Sequence, residues 1–402
     1  MSLLRILHVV PYFEDAWAYG GIPRVAAAMT RGLARRGHHV TVCTTDACDA
    51  ETRLDPSGVA ARAGDLDVRV FRNVSNRLAY HCQAFAPRGL IRFLRDTAGS
   101  FDVAHLHACR NLPGSIAARE LRRAGVPYVL SPNGTAPLIE RRILLKRLFD
   151  AAGGRHVIEG ANRVLATSEA EFRQLVETGI PRHRVTVVPN PLDLGEFSNV
   201  PAREIFRRKH GLGDGPIVLF LGKLTPRKGV DVLLHAFGLA TDTGARLVIA
   251  GNAMGMGTTV ERLSAGLVLS SRVTRVGLLR GRERLEALAS ADVVVYPSRD
   301  EVFGLVPLEA LLCGTPVIVS NDCGCGEVIG RTGGGHIVPF GDRRTLAGAI
   351  DSILRSPALW KTRAVSAGRK ARKLFAAEIV CAQLENLYTD VGHARRRRRP
   401  VA

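Results

Sequence analysis

Short apolar runs alternate with helical stretches along most of this chain, and this alternation constrains the fold more than any other feature. The apolar runs are rich in Val and Leu, and helices fit the long connections between several of them. In the first half we predict strands at 3–10, 39–44, 68–71, 101–106, 128–131, 163–167 and 185–188. Strands of this composition joined by helices form a parallel sheet that is covered on both faces.

The alternation stops at Pro189-Asn190-Pro191 and then restarts, which indicates a second domain. Strands are predicted at 216–222, 246–250, 272–276, 292–296 and 315–320, and the pattern from 343 to 392 is helical. We therefore predict an α/β fold of two doubly wound, Rossmann-like domains facing each other across a cleft, with ligands at the carboxyl ends of the strands. The expected division is an N-terminal domain over 1–195, a C-terminal domain over 196–375, a helix over 376–392 that packs back on the first domain, and a basic tail over 393–402.

Size and composition exclude several classes of protein. A chain of 402 residues that is 46% hydrophobic can bury two cores without disulfides or metals. No apolar run reaches the ~18 residues that span a bilayer, and Arg5 and His8 interrupt the opening run, which predicts a strand rather than a signal peptide. The eight cysteines form no C-x-x-C pair, and Cys323 and Cys325 are too close together to specify zinc. We expect reduced thiols in a cytoplasmic protein.

The net charge of +19 predicts anionic partners, which include nucleotides, acidic lipid and nucleic acid. Aromatic residues make up only 5% and do not interleave with basic ones, which disfavours nucleic acid.

The first strand is not followed by G-x-G-x-x-G, and Leu224 stands where a P-loop needs Ser or Thr. Asp65 and Asp67 could hold a metal–diphosphate, although an exposed strand start is the favoured interpretation.

Two loops at strand ends suit a diphosphate. Gly20 and Gly21 directly precede the first predicted helix, where backbone N–H groups are open to an anion. Lys223, Arg227 and Lys228 lie within six residues at the end of the predicted strand 216–222, and each could make a charge-assisted hydrogen bond. Taken alone, the glycine pair is a weak signal that also fits a plain strand-to-helix turn, and the cationic loop is equally typical of a solvated loop.

The strongest signal is the segment 298–314, SRDEVFGLVPLEALLCG. It follows an apolar strand and enters a helix that has Pro307 in its first turn and Gly314 at its end. Glu301 lies just before this helix and Glu309 about one turn inside it, so both carboxylates can face one ligand. Carboxylates beside a diphosphate are unfavourable, whereas they suit the hydroxyl groups of a nucleotide sugar.

These motifs resemble those of the retaining glycosyltransferases of family 4, which have the two-domain GT-B fold and use nucleotide-sugar donors. EVFGLVPLEAL contains the family's E-x7-E motif, and PRKGVDVLLHAF resembles the segment that carries its diphosphate lysine, here Lys228. The glycine pair at 20–21 and the segments ADVVVYPS and VVPNPLD also match, so the resemblance spans residues 6 to about 388. Lys223 replaces a common arginine, and the segment 322–327 departs from the family's Gly-Gly-x-x-Glu loop, which leaves the role of Glu327 open.

The resemblance implies that Glu301 contacts the donor sugar and that Glu309 holds the ribose hydroxyls. Lys223 and Lys228 would stabilise the leaving diphosphate electrostatically, with Arg227 beside them. The remaining donor-binding residues would be the glycine pair and the backbone N–H groups at the helix start: Gly20, Gly21, Phe303, Gly304 and Leu305.

His107 is similar to the family's histidine near the donor sugar, with His105 as its competitor and a buried core histidine as the alternative interpretation. The two side chains lie on the same face of a strand, but only His107 is at the loop, and we favour it. The implied mechanism is transfer with retention on one face of the sugar, although a covalent sugar intermediate stays open. The lysines and helix ends would replace a metal, so no metal or other cofactor is expected.

We expect the acceptor to bind the first domain, near Asn133 and a basic helix over 140–149 that includes Arg142 and Lys146. An ordinary solvated face is an equal interpretation of this helix, but together with the arginine run at 395–399 we favour peripheral contact with the anionic inner face of a plasma membrane. A UDP- or GDP-sugar donor, a saccharide or lipid-linked saccharide acceptor, and bacterial exopolysaccharide or lipopolysaccharide assembly follow by resemblance alone. The alternatives are a non-hydrolysing nucleotide-sugar epimerase of the same fold and a catalytically decayed binding protein for a membrane or nucleic acid.

Overall fold

The computed structural model of the protein describes residues 3–62, 64–137, 147, 149–150 and 154–396. The chain divides into two compact units. Unit 1 contains Met1–Leu192 and Ala377–Ala402, and unit 2 contains Asp193–Ala376. Unit 1 is therefore discontinuous in sequence, and its two segments are joined at the crossing points by a hydrogen bond from the backbone N–H of Ala377 to the carbonyl of Leu192 (3.1 Å).

Unit 1 is built on a parallel sheet whose order is β3-β2-β1-β4-β5-β6-β7. Its strands within the described residues are β1 (Arg5–Val9), β2 (His39–Thr45), β3 (Asp67–Phe71), β4 (Val103–His107), β5 (Tyr128–Ser131), β6 (Arg163–Ala166) and β7 (Val185–Val187). The order reverses beside β1, where β2 pairs on one side and β4 on the other. This reversal is the topological switch point at which doubly wound sheets bind ligands.

Several of the described helices of unit 1 begin at a side-chain cap. The helices of this unit are α1 (Ile22–Arg35), α2 (Pro56–Arg62), α3 (Asn76–Cys82), α4 (Leu90–Thr97), α5 (Leu112–Arg123), α6 (His156–Glu159), α7 (Glu169–Glu177) and α16 (Ala377–Arg396) among the described residues. The side chains of Asn111 and Ser168 accept hydrogen bonds from the first turns of α5 and α7. Pro23 lies in the first turn of α1, as predicted.

Unit 2 has a second parallel sheet, in the order β10-β9-β8-β11-β12-β13. Its described strands are β8 (Ile217–Leu221), β9 (Arg246–Ala250), β10 (Val273–Gly277), β11 (Val293–Tyr296), β12 (Val317–Ser320) and β13 (Gly335–Val338). Its described helices are α8 (Arg203–Lys209), α9 (Val230–Leu239), α10 (Gly257–Gly266), α11 (Gly281–Ser290), α12 (Leu305–Leu312), α13 (Gly324–Thr332), α14 (Arg343–Arg355) and α15 (Pro357–Phe375). Two parallel sheets with flanking helices confirm the predicted α/β class.

The predicted strands lie within one to three residues of the observed ones, but β13 was not predicted. This strand has four residues at the edge of the sheet, and only Val338 is fully buried. A short edge strand carries too little apolar periodicity to be recognised.

The last helix, α16, packs on α1 within unit 1. Buried Glu385 of α16 forms an ion pair with Arg36 and lies 3.4 Å from Nε2 of His38. Nowhere in the part of the chain that the structure describes is a helix both long and apolar enough to cross a bilayer. The predicted basic helix over 140–149 falls mainly, and the side chains of the arginine run over 395–399 fall entirely, outside the described residues.

Candidate active site

In unit 2, two loops that follow β8 and β11 are held together by backbone contacts. Residues Pro226–Lys228 form one 3₁₀ turn, and Gly229 then caps α9 with φ +64°. A Cβ atom at Gly229 would overlap the carbonyl oxygen of Pro297, so this close approach requires glycine. The backbone N–H of Arg299 donates to the carbonyl of Arg227 at 2.8 Å. This local structure places Lys228 against the end of β11.

Lys228 forms an ion pair there with Glu301. Its Nζ also donates to the hydroxyl of Tyr296 at 2.5 Å, and that hydroxyl donates to Oε2 of Glu301 at 3.1 Å. The side chains of Lys228 and Glu301 are only 13% and 14% exposed. We call Lys228, Tyr296 and Glu301 the lysine–glutamate cluster.

The electrostatics of this cluster keep Glu301 ionised at neutral pH. Burial alone would raise the pKa of Glu301, but Lys228 and Arg227 outweigh burial and lower that pKa to about 2. Burial and the neighbouring Glu301 raise the pKa of Tyr296 well above its usual value. The cluster therefore contains a carboxylate, an ammonium group and a neutral phenol.

The predicted helix start at residues 303–305 is a sharp, buried turn. Gly304 has φ +76° and precedes Leu305, the first residue of α12. A Cβ atom at Gly304 would overlap Sγ of Cys325, and the ring of Phe303 is buried against Phe375 with centroids 5.4 Å apart. The first backbone N–H groups of a helix have no partner within the helix, and they suit a phosphate oxygen.

Glu309 lies in a different environment from Glu301. It is completely buried within α12 and forms an ion pair with Arg284 of α11, which also pairs with Glu196. Burial disfavours the charge on Arg284, but the two carboxylates outweigh it and raise the pKa of this arginine. Sequence analysis predicted that both glutamates face one ligand and did not predict the ion pair between Glu309 and Arg284. This pair forms because α11 packs on the side of α12 that carries Glu309. The ribose role of Glu309 stays a prediction.

The other predicted cations lie in the same part of unit 2. Lys223 is half-buried directly after β8, where the loops that follow β8 and β9 approach closely. Gly251 has φ +148°, and a Cβ atom there would overlap the carbonyl oxygen of Gly222. Arg227, also half-buried, precedes Lys228 in the 3₁₀ turn.

In unit 1, the predicted glycine pair directly precedes α1. Gly20 has φ +94°, a conformation that favours glycine. Gly21 is the N-cap residue of α1 and has no side chain to cover the first N–H groups. The role of this turn in binding an anion stays a prediction.

His105 and His107 are both fully buried on one face of β4, with His8 of β1 beside them. His105 uses both ring nitrogens, Nδ1 with the hydroxyl of Tyr388 (2.5 Å) and Nε2 with Oγ of Ser131 (2.7 Å). His107 uses only Nε2, which lies 3.0 Å from Nδ1 of His8. Nδ1 of His107 is buried without a hydrogen-bond partner among the described residues. Of the two candidates, His107 is thus the one with a nitrogen left for a ligand.

Burial lowers the pKa of His107 to about 3 and lowers the pKa values of the other two rings well below the usual value. All three are therefore neutral at pH 7. We call His8, His105 and His107 the histidine cluster. Within the described residues it is also the one group of three potential metal ligands whose ligand atoms lie within 4.8 Å of one another.

On the expected acceptor side, Asn133 is half-buried with φ +51° in the turn after β5. The next residue, Gly134, donates its backbone N–H to buried Glu171 at 2.6 Å, which fixes this turn against α7. Arg142 and Lys146 lie outside the described residues. At the alternative metal position, Asp67 is exposed and Oδ1 accepts from Nε of Arg69 at 2.7 Å.

Sequence analysis did not assign His8, Tyr296, Arg284 or Glu171 to the site. His8 and Tyr296 had a recognisable signal, because each is a polar residue in an otherwise apolar strand. Arg284 and Glu171 had none, since charged residues on helices are usually exposed.

The comparisons with known proteins cover both units. Residues 20–191 match the family described as "Glycosyl transferase 4-like domain", and residues 202–374 match "Glycosyl transferases group 1". The chain is 31% identical over 375 residues to D-inositol 3-phosphate glycosyltransferase of Acidothermus cellulolyticus, covering 86% of this chain and 80% of the relative. It is 30% identical over 328 residues to a GDP-mannose-dependent alpha-mannosyltransferase of Mycobacterium tuberculosis, covering 80% and 81%. The crystal structure of HepE from Anabaena in complex with UDP and glucose superimposes with a TM-score of 0.77 at 19% identity, covering 96% of this chain and 100% of HepE.

Proposed function

Because the chain belongs to family 4 of the glycosyltransferases and has the GT-B fold, we propose that it transfers a sugar with retention from a UDP- or GDP-sugar to a saccharide acceptor. The proposed acceptor is lipid-linked, as in the assembly of cell-surface polysaccharide or lipopolysaccharide at the inner face of a membrane. Use of a nucleotide-sugar donor is common to the family. The proposal of a lipid-linked acceptor at a membrane is based on the basic composition and on the arginine run at 395–399.

The observation that carries the proposal is the buried lysine–glutamate cluster beside the first N–H groups of α12. Lys228 can exchange its carboxylate partner for a diphosphate, because both partners are anionic and oxygen-rich. Lys223 and Arg227 add positive charge in the neighbouring loops. Together with the helix start they stabilise the negative charge that develops on the leaving diphosphate. These groups can stabilise the leaving diphosphate in place of a divalent metal, so we propose a reaction that requires no metal.

The bond changes balance without an added cofactor. The bond between the anomeric carbon and the diphosphate oxygen breaks, and the acceptor oxygen bonds to the same face of that carbon. The acceptor's proton passes to an oxygen of the leaving diphosphate. Glu301 is assigned to the donor sugar, and His107 to a hydrogen bond with a sugar hydroxyl through its Nδ1.

Two conservative substitutions test the donor assignment by steady-state kinetics and titration with a nucleoside diphosphate. Glu301→Gln should lower kcat strongly and leave nucleoside diphosphate affinity equal or higher, because Lys228 loses a competing anion. Glu309→Gln should raise KM and weaken nucleoside diphosphate binding ten- to a hundred-fold, since loss of a hydrogen bond to a carboxylate amounts to roughly 1.5–3 kcal/mol.

Glu283→Gln is the matched control, because this glutamate is exposed on α11 and pairs with exposed Lys209. It should change neither quantity. The reverse pattern for the two site glutamates would mean that the donor lies in the opposite orientation. Conversion of a labelled donor without acceptor would instead identify the epimerase.

A further inference from the structure

The histidine cluster is built by strand register. In the pairing of β1 with β4, His8 lies opposite His105, and His107 follows two residues later on the same face. The rings of His105 and His107 are stacked with centroids 4.3 Å apart and planes 15° apart, and His8 lies 5.3 Å from His107 at 27°. Each ring is thereby fixed by its neighbours as well as by the backbone.

The three rings differ in how many of their nitrogens have a hydrogen-bond partner among the described residues. His105 has a partner at both nitrogens, so it has no nitrogen left for a ligand. His8 and His107 use one nitrogen each for the bond between them. What remains is Nε2 of His8 and Nδ1 of His107, both buried and without a hydrogen-bond partner among the described residues.

We propose that His8 is a positioning residue for His107: it fixes the orientation and the tautomer of the His107 ring and so presents Nδ1 to a sugar hydroxyl. This inference rests on the proposed function for the identity of the ligand, but not for the hydrogen bond itself. In two neutral rings only one of the bridging nitrogens carries a proton. The bond therefore determines whether Nδ1 of His107 donates or accepts, and the ring stays neutral in either case.

A purely structural role explains the observations less well. A buried polar atom without a partner is unfavourable, and such atoms are uncommon in folded proteins unless a ligand or water satisfies them. A metal site also fits poorly. The in-plane lone pairs of nearly parallel stacked rings do not converge on one point, and both nitrogens of His105 already have partners.

The test uses His8→Asn and His8→Leu, which are close in shape and differ in hydrogen bonding. The amide of Asn can replace Nδ1 of His8, whereas Leu removes the bond. Nitrogen-15 NMR of the histidine rings in the full-length protein reports the tautomer directly. We expect one tautomer of His107 in the wild type and in His8→Asn, and an average of two in His8→Leu. An unchanged His107 signal in His8→Leu would overturn the proposal.

Kinetics then measure the consequence for the reaction. His8→Leu should lower kcat ten- to a hundred-fold with little change in KM for the donor, because misorientation of a reacting group acts on the transition state. His8→Asn should recover most of this loss. His38→Leu is the control, since His38 is buried in the same unit but away from the cluster: its Nδ1 accepts from the backbone N–H of Leu4, and its Nε2 lies 3.4 Å from Glu385.

The two readouts separate the hypotheses. A change of tautomer without any transferase activity in the wild type would disprove the proposed function and leave the positioning role intact. Equal loss of kcat in His8→Asn, His8→Leu and His38→Leu would reflect general damage to unit 1 and would overturn the positioning role.

Discussion

The histidine cluster of unit 1 and the lysine–glutamate cluster of unit 2 differ in how they accommodate buried titratable side chains. Both lie at the carboxyl ends of parallel strands and both are almost fully buried. The histidines are neutral because burial lowers their pKa values. Glu301 keeps its charge because Lys228 and Arg227 outweigh the effect of burial on its pKa. A buried polar group can thus be tolerated by losing its charge or by pairing it.

This difference determines how much stability each cluster loses when one of its members is removed. Removal of one partner from a buried ion pair leaves an uncompensated charge, which destabilises far more than loss of a neutral hydrogen bond. A charged cluster can also exchange its partner for an ionic ligand, whereas a neutral cluster can only complete its hydrogen bonds. These properties suit a diphosphate in unit 2 and a hydroxyl group in unit 1.

The largest expected effect is that of Lys228→Met. It leaves Glu301 buried without its main counter-charge, so urea denaturation should show a loss of about 3–5 kcal/mol in the free energy of unfolding of unit 2. Nucleoside diphosphate binding should be lost as well. Lys209→Met is the control, because its ion pair with Glu283 is half exposed and solvent screens it.

The double variant Lys228→Met/Glu301→Gln sharpens this result. It removes both charges and should recover much of the stability but none of the nucleotide binding. Equal destabilisation by the single and double variants would mean that the ion pair is not the source of the effect, and the comparison would fail.

A smaller effect is expected in the pH dependence of stability. Folded His107 has a pKa of about 3, whereas the unfolded side chain titrates near its ordinary value. Below about pH 6.5 the unfolded chain therefore binds a proton that the folded chain excludes, and stability falls as pH falls. The slope is about 1.4 kcal/mol per pH unit for each such histidine.

His107→Gln should reduce this slope by one proton between pH 5 and 6, measured by urea denaturation. Glu301→Gln should leave the slope in that window unchanged. The lowered pKa of Glu301 means that its contribution is present above about pH 4.5 and is lost only as pH falls towards 2. If both variants changed the slope between pH 5 and 6, the two clusters would not differ as described.

The smallest expected effect is that of metal removal. EDTA should leave transfer unchanged, because in the proposed function cations and a helix start, rather than a metal, stabilise the diphosphate. Loss of activity that zinc restores would make the histidine cluster a metal site rather than a neutral hydrogen-bonding group. Loss of activity that magnesium or manganese restores would instead indicate a metal site at Asp65 and Asp67.

The sequence predicted the fold and the positions of the site loops better than the contacts within the site. Strand periodicity and the proline and glycine at the ends of 305–312 are local features, and they determined the two sheets and the helix after Glu301. The partnership of Glu309 with Arg284 depends on how α11 packs against α12, and the His8–His107 bond depends on the register of β1 with β4. Such contacts join residues far apart in sequence, and no local pattern specifies them.

The division of the chain into a continuous and a discontinuous unit has a consequence for biosynthesis. Residues 193–376 emerge from the ribosome as one complete unit, and domains generally fold as units during synthesis. Unit 1 lacks α16 until all of unit 2 has been translated. Until then Glu385 cannot pair with Arg36, and His105 has no Tyr388. Unit 1 therefore begins translation before unit 2 but is completed after it, and a ribosome that stalls before residue 377 leaves α1 and β4 without the helix that packs on them.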